Sequence, residues 1–104
     1  MFVWLDDVRE KPNDFDFWAK TPEEAIQLLE TGIVAFISLD YDLGLENNLF
    51  GEERSGYTVA KWIEQKAYEG KLPKLSWSIH SANLVGRNRM EHALKNADKF
   101  WNNA

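Results

Sequence analysis

Apolar residues in this chain come in two rhythms, and each predicts a different element. Phe2-Val3-Trp4-Leu5 is apolar at every position, and Ile33 to Leu39 is interrupted only by Ser38, as in strands buried on both faces of a parallel sheet. A shorter run, Leu75–Ile79, and a weaker one, Phe15–Ala19, read as two further strands. Between them the period changes to that of a helix. Thr21-Pro22-Glu23-Glu24 is a capping box with proline at the first helical position, and Ala25, Ile26, Leu28 and Leu29 follow as a stripe that stops at Gly32. A second helix fits Ser55 to about Tyr68, with Val59, Trp62, Ile63 and Ala67 on one side and Gly70 at its end. Asn83 can cap a last helix that turns Met90, Ala93, Leu94 and Ala97 inward, and Lys99-Phe100-Trp101 is read as a final short strand.

Residues 40–54 contain two glycines and no clear period, so they form a long loop. Strands that alternate with helices predict a parallel sheet whose C-terminal strand ends share one edge, where ligands of open α/β sheets bind. No repeat, linker or low-complexity tract divides the 104 residues, and one domain is expected to span 1–104.

Composition narrows the chemistry. Without cysteine there is neither a disulfide nor a thiolate zinc site, so any metal is held by oxygen or imidazole. No apolar stretch approaches the roughly 20 residues that cross a bilayer, and no basic leader precedes the first apolar run, so a cytoplasmic protein without membrane contact is expected. The net charge of −5 is uneven: residues 1–53 carry 13 acidic and 3 basic side chains, residues 54–104 carry 4 and 9. An acidic edge beside basic residues can bind cation and phosphate together, or it is an unevenly charged solubilising surface. Basic residues do not alternate with aromatics, so a duplex-DNA surface is not expected.

Two strand-like runs end on carboxylates, Asp6-Asp7 after the first and Asp40 with Asp42 after the third. Brought together, these acids repel unless a cation lies between them, and Mg2+, which takes a few carboxylates and completes its shell with water or phosphate, suits them; singly, each aspartate can simply end a strand or cap a turn. His80-Ser81-Ala82-Asn83 lies where a strand turns into a helix, whose first amides favour an anion. Ser81 offers a hydroxyl there. Arg87 either reaches the same anion or pairs with Glu91, whereas Arg89 points elsewhere. Arg9 contacts phosphate or neutralises the acid pair. His80 is a general acid or base, or a structural histidine.

Together these residues resemble the constellation of response-regulator receiver domains. The match is more specific to a compact branch, the cyclic-phosphate-processing receiver-like domains, through Leu5-Asp6-Asp7-Val8-Arg9, Ser38-Leu39-Asp40-Tyr41-Asp42-Leu43-Gly44, Ser55-Gly56-Tyr57, and His80-Ser81-Ala82-Asn83 with Gly86-Arg87 and Met90. The resemblance implies an α/β, compact receiver-like three-layer sandwich: a mostly parallel sheet of four or five strands, about three flanking helices, and no last receiver helix. In receivers the acids bind magnesium, the later aspartate accepts a phosphoryl group and the hydroxyl contacts it. The lysine-proline pair of ordinary receivers is missing, with only Lys99 in that region, which argues against phosphorelay through Asp40.

The expectation is a Mg2+-dependent phosphoesterase for a small phosphorylated ligand or nucleotide, such as a cyclic phosphate on a nucleotide or RNA end. Asp6, Asp7 and Asp40 hold metal in this reading; Ser81, Asn83, Arg87 and Arg9 hold phosphate; Asp40, Asp42 and His80 are catalytic. The alternatives are a non-catalytic module binding a phospho-ligand or protein through the same cleft and, more weakly, a phosphoacceptor receiver. No oligomeric state is expressed in the sequence.

Overall fold

Local chemistry starts each helix. The Thr21 hydroxyl accepts the Glu24 N–H at 3.1 Å and opens α1 (Pro22–Leu29). Ser55 and Thr58 cap each other reciprocally at the start of α2 (Gly56–Tyr68), and the Asn83 side-chain oxygen accepts the Gly86 N–H at 2.9 Å at the start of α3 (Leu84–Asn102). Each cap contributes about 1 kcal/mol by satisfying an amide that the helix leaves unpaired. The computed structural model describes residues 1–103.

The strands β1 (Phe2–Leu5), β2 (Phe17–Ala19), β3 (Phe36–Leu39) and β4 (Ser76–Ile79) form one parallel sheet in the order β2-β1-β3-β4. Both strand–helix–strand crossovers advance in the same direction across the sheet. With the usual right-handed connection this puts α1 and α2 on one face, and α3 packs against α2 there. Val3, Leu5, Ile37 and Leu39 point into that helical layer and meet Ala25, Leu29, Val59, Ile63, Met90 and Leu94 in a single buried cluster. Burying each large side chain stabilises the fold by about 1.5–3 kcal/mol.

The opposite face carries no helix. Its register rows are Phe2 and Phe36 with Ser76, then Trp18, Trp4, Ser38 and Ser78. The segment 6–16 folds over it and inserts Phe15, which meets Phe2, Trp4 and Phe36 at ring-centroid distances of 5.2–6.1 Å. The Trp4 indole N–H donates to the Arg9 carbonyl at 2.9 Å and Lys11 Nζ to the Phe15 carbonyl at 2.7 Å, so the third layer of the sandwich is this pinned loop.

The α/β receiver-like expectation thus holds, with four strands and three helices. The proposed strand at Lys99–Trp101 is incorrect: these residues are the last turn of α3. Phe100 and Trp101 continue the helical spacing of Met90, Ala93, Leu94 and Ala97, and the Trp101 indole donates to the Leu72 carbonyl at 2.9 Å. β3 starts at Phe36 instead of Ile33 because β1 begins opposite it, at Phe2, and Ile33 is exposed. Among the described residues, no helix is long and apolar enough to cross a membrane.

Candidate metal and phosphate site

Leu5, Leu39 and Ile79 occupy one register row, so the residue after each lies on the same edge. The backbone carries the row one step further. Asp40 N donates to the Leu5 carbonyl and His80 N to the Leu39 carbonyl, both at 3.0 Å. Asp6, Asp7 and Asp40 each offer a carboxylate oxygen within 4.8 Å of the others, and such a group can hold a metal ion. At that spacing two carboxylates repel by about 3 kcal/mol for an effective dielectric near 20.

The three acids differ in environment. Asp6 is 2 % exposed. Its Oδ1 accepts the Val8 and Arg9 N–H groups at 3.0 and 2.8 Å, and its Oδ2 lies 3.1 Å from His80 Nε2. Burial pushes its carboxyl up, but those two amides and His80 outweigh it and hold Asp6 below the ordinary carboxylate range. Both lone pairs of Oδ1 are therefore engaged, leaving one on Oδ2 for a metal. Asp7 is half-buried beneath Gly44, whose positive φ of 67° lets the loop pass close: a Cβ there would lie 3.0 Å from Asp7 Oδ2. Asp40 is pushed up by burial first and by the charge of Asp6 second, against the Ser81 hydroxyl and the Tyr41 N–H. An all-oxygen set with unneutralised charge fits a hard divalent cation.

The predicted phosphate groups surround this edge unequally. Ser81 is buried, its Oγ accepting the Asn83 N–H at 3.2 Å. Asn83 caps α3 with its oxygen, and its amide nitrogen donates to Asp42 Oδ2 at 3.2 Å, which ties exposed Asp42 to the start of the helix. Arg87 grips the Ser81 carbonyl at 3.0 Å, while Glu91 pairs with Lys95 at 2.8 Å. The Arg87–Glu91 pair is not among the ion pairs of the described residues. Arg9 is exposed and joins the site through its backbone, its guanidinium making no hydrogen bond or ion pair among the described residues. His80 lies flat on Trp4, ring centroids 3.7 Å apart and 6° from parallel, with Nδ1 2.8 Å from Ser38 Oγ. Burial holds its pKa below the ordinary histidine value, against the opposing pull of Asp6 and Asp40.

Sequence reading overlooked a bracket beside the site. Tyr41 donates its hydroxyl to Glu53 at 3.0 Å, and Arg89 bonds both, at 2.7 Å to Tyr41 and 2.9 Å to Glu53, while lying 4.0 Å over the Tyr57 ring. A Cβ at Gly86 would overlap the Tyr41 ring, and one at Gly56 would overlap the Asp40 carbonyl. The Gly56 and Gly86 motif positions were thus legible, but not the close backbone approach that requires them. A concavity of about 580 Å³, lined by Tyr57, Trp62, Glu53 and Arg54 among others, includes none of the aspartates.

Comparison with known families agrees with this geometry. The family model described as the cyclic-phosphate processing receiver domain matches residues 1–96. No curated protein and no solved structure matches the chain.

Proposed function

The chain belongs to the cyclic-phosphate processing receiver domains, and from that premise we propose divalent-metal-dependent processing of a small phosphorylated ligand, a cyclic phosphate on a nucleotide or RNA end. The observation that carries the reading is the convergence of Asp6, Asp7 and Asp40 beside Ser81 and the first turn of α3. The three acids would hold Mg2+, with Asp6 contributing its remaining Oδ2 lone pair. When bound, Mg2+ supplies charge neutralisation and polarisation of the phosphate oxygens.

The chain's own groups complete the reading. The Ser81 hydroxyl and the first amides of α3 bind phosphate oxygens, and Arg87, anchored on the Ser81 carbonyl, adds a guanidinium at the rim. Asn83 orients Asp42 while capping the helix. Ring opening of a cyclic phosphate adds water across one P–O bond, taking a proton from the water and giving one to the leaving oxygen. Asp42 is the exposed carboxylate at this edge that can exchange those protons with solvent.

The test is hydrolysis of 2′,3′-cyclic nucleotides with Mg2+. We expect turnover that is lost in Asp40→Ala and on chelation. Tight binding of the nucleotide without turnover would replace the enzyme with a binding module, and calorimetry showing no Mg2+ uptake at millimolar metal would overturn the metal reading.

A further inference from the structure

Ser38 is the one polar residue inside an otherwise apolar central strand, and it is 2 % exposed. Burying a hydroxyl there costs stability unless it is fully bonded, so its partners matter. Ser78 Oγ donates to Ser38 Oγ at 2.8 Å, and Ser38 Oγ lies 2.8 Å from His80 Nδ1. His80 Nε2 in turn lies 3.1 Å from Asp6 Oδ2. These four side chains form one line across the helix-free face from β4, through β3, to the acid at the end of β1. Trp4 stacks along the imidazole and fixes its plane.

The chemistry gives this line a direction. The Asp6 carboxylate already accepts two backbone N–H groups at Oδ1 and stands here as an acceptor, so the nitrogen facing its Oδ2 must carry the proton. His80 then has Nε2–H and a bare Nδ1, which needs a donor. Ser38 can donate to it because Ser78 supplies the hydrogen that Ser38 Oγ accepts. Reversing the line would put two acceptors face to face at 3.1 Å.

We propose that Ser78, Ser38 and His80 are positioning residues that lock the Asp6 carboxylate, with the His80 proton held on Nε2 and both ring nitrogens engaged. Hydrogen bonds behind a metal ligand commonly govern its orientation and basicity. With Oδ1 held by two amides and Oδ2 by His80, Asp6 presents a single defined lone pair. This inference rests on the metal reading above for its consequence, but not for its geometry.

The experiment reads both separately. In the metal-free protein, imidazole 15N NMR is expected to show His80 protonated at Nε2 and accepting a hydrogen bond at Nδ1. Ser38→Ala moves the Nδ1 resonance toward that of an unbonded nitrogen, and Ser38→Thr, which keeps the hydroxyl, restores it. A proton on Nδ1 in the wild type, or resonances unmoved in Ser38→Ala, would overturn the proposal. If Ser38→Ala does not fold, Ser78→Ala gives the same readout one bond further away. With Mg2+ alone, calorimetry is expected to show affinity lowered about tenfold in Ser38→Ala and recovered in Ser38→Thr. Unchanged affinity in a folded Ser38→Ala overturns the positioning role. A wild type that binds no Mg2+ overturns the proposed function and the positioning consequence together, whereas the tautomer result still stands or falls by itself.

Discussion

The two faces of the sheet are built on opposite principles. Toward the helices, Val3, Leu5, Ile37 and Leu39 are fully buried within one apolar cluster. Away from them, β1, β3 and β4 carry Trp4, Ser38 and Ser78, an aromatic and hydroxyl-rich row that leads through His80, just after β4, to Asp6. The first face gains its stability from area removed from water and tolerates no polar atom. The second gives up part of that gain for directional bonds that determine where one carboxylate points. Of the three acids at the edge, Asp6 is the one bonded to that face, through His80.

Leu39→Ala strikes the apolar face alone. Its unfolding free energy in urea is expected to fall by about 2–5 kcal/mol, with the His80 nitrogen resonances of the folded protein retained. Trp4→Leu strikes the other face, removing the His80 stack and the bond to the Arg9 carbonyl; we expect a smaller loss, on the order of 2 kcal/mol, accompanied by shifted His80 resonances. If Leu39→Ala disturbed His80 as much as Trp4→Leu did, the division of labour between the faces would be wrong.

Two carboxylates sharpen the contrast further. Glu53 is pushed up by burial but held below its ordinary value of 4.5 by Arg89, Ser55 and Tyr41. Its folded pKa is therefore depressed, so its contribution is present above 4.5 and is lost as pH falls through the folded value. Glu53→Gln should lower stability by about 1 kcal/mol at neutral pH and flatten that acidic limb of a melting-temperature profile. Asp40 acts oppositely, since burial and then the charge of Asp6 disfavour its ionised form in the fold. Asp40→Asn should raise the melting temperature of the metal-free protein at pH 7 by a few degrees, and the gain should disappear when Mg2+ is added to both proteins. A lower melting temperature for Asp40→Asn without metal would show that the cluster is not under electrostatic strain.

How much of this was written locally is clear from particular residues. Thr21-Pro22, Ser55 and Asn83 bond to amides two or three positions away, so the starts of all three helices could be read from the chain. Carboxylates that follow apolar runs are likewise legible, because a buried strand must end where charge begins. The end of α3 was misread because Lys99-Phe100-Trp101 is short and aromatic, although Phe100 and Trp101 keep the helical spacing and Trp101 docks onto Leu72. Tyr41, Glu53 and Arg89 escaped notice because their partners lie 12 to 48 positions apart.

The sequence by itself therefore determined the order of elements, their caps and the acids at the strand ends, since these depend on neighbours along the chain. Strand register decided the rest. Ser38 and His80 are 42 positions apart, and His80 and Asp6 are 74. They meet because parallel pairing aligns β1, β3 and β4 residue by residue, and a shift of one position would turn Ser38 into the helical core and break the line to Asp6.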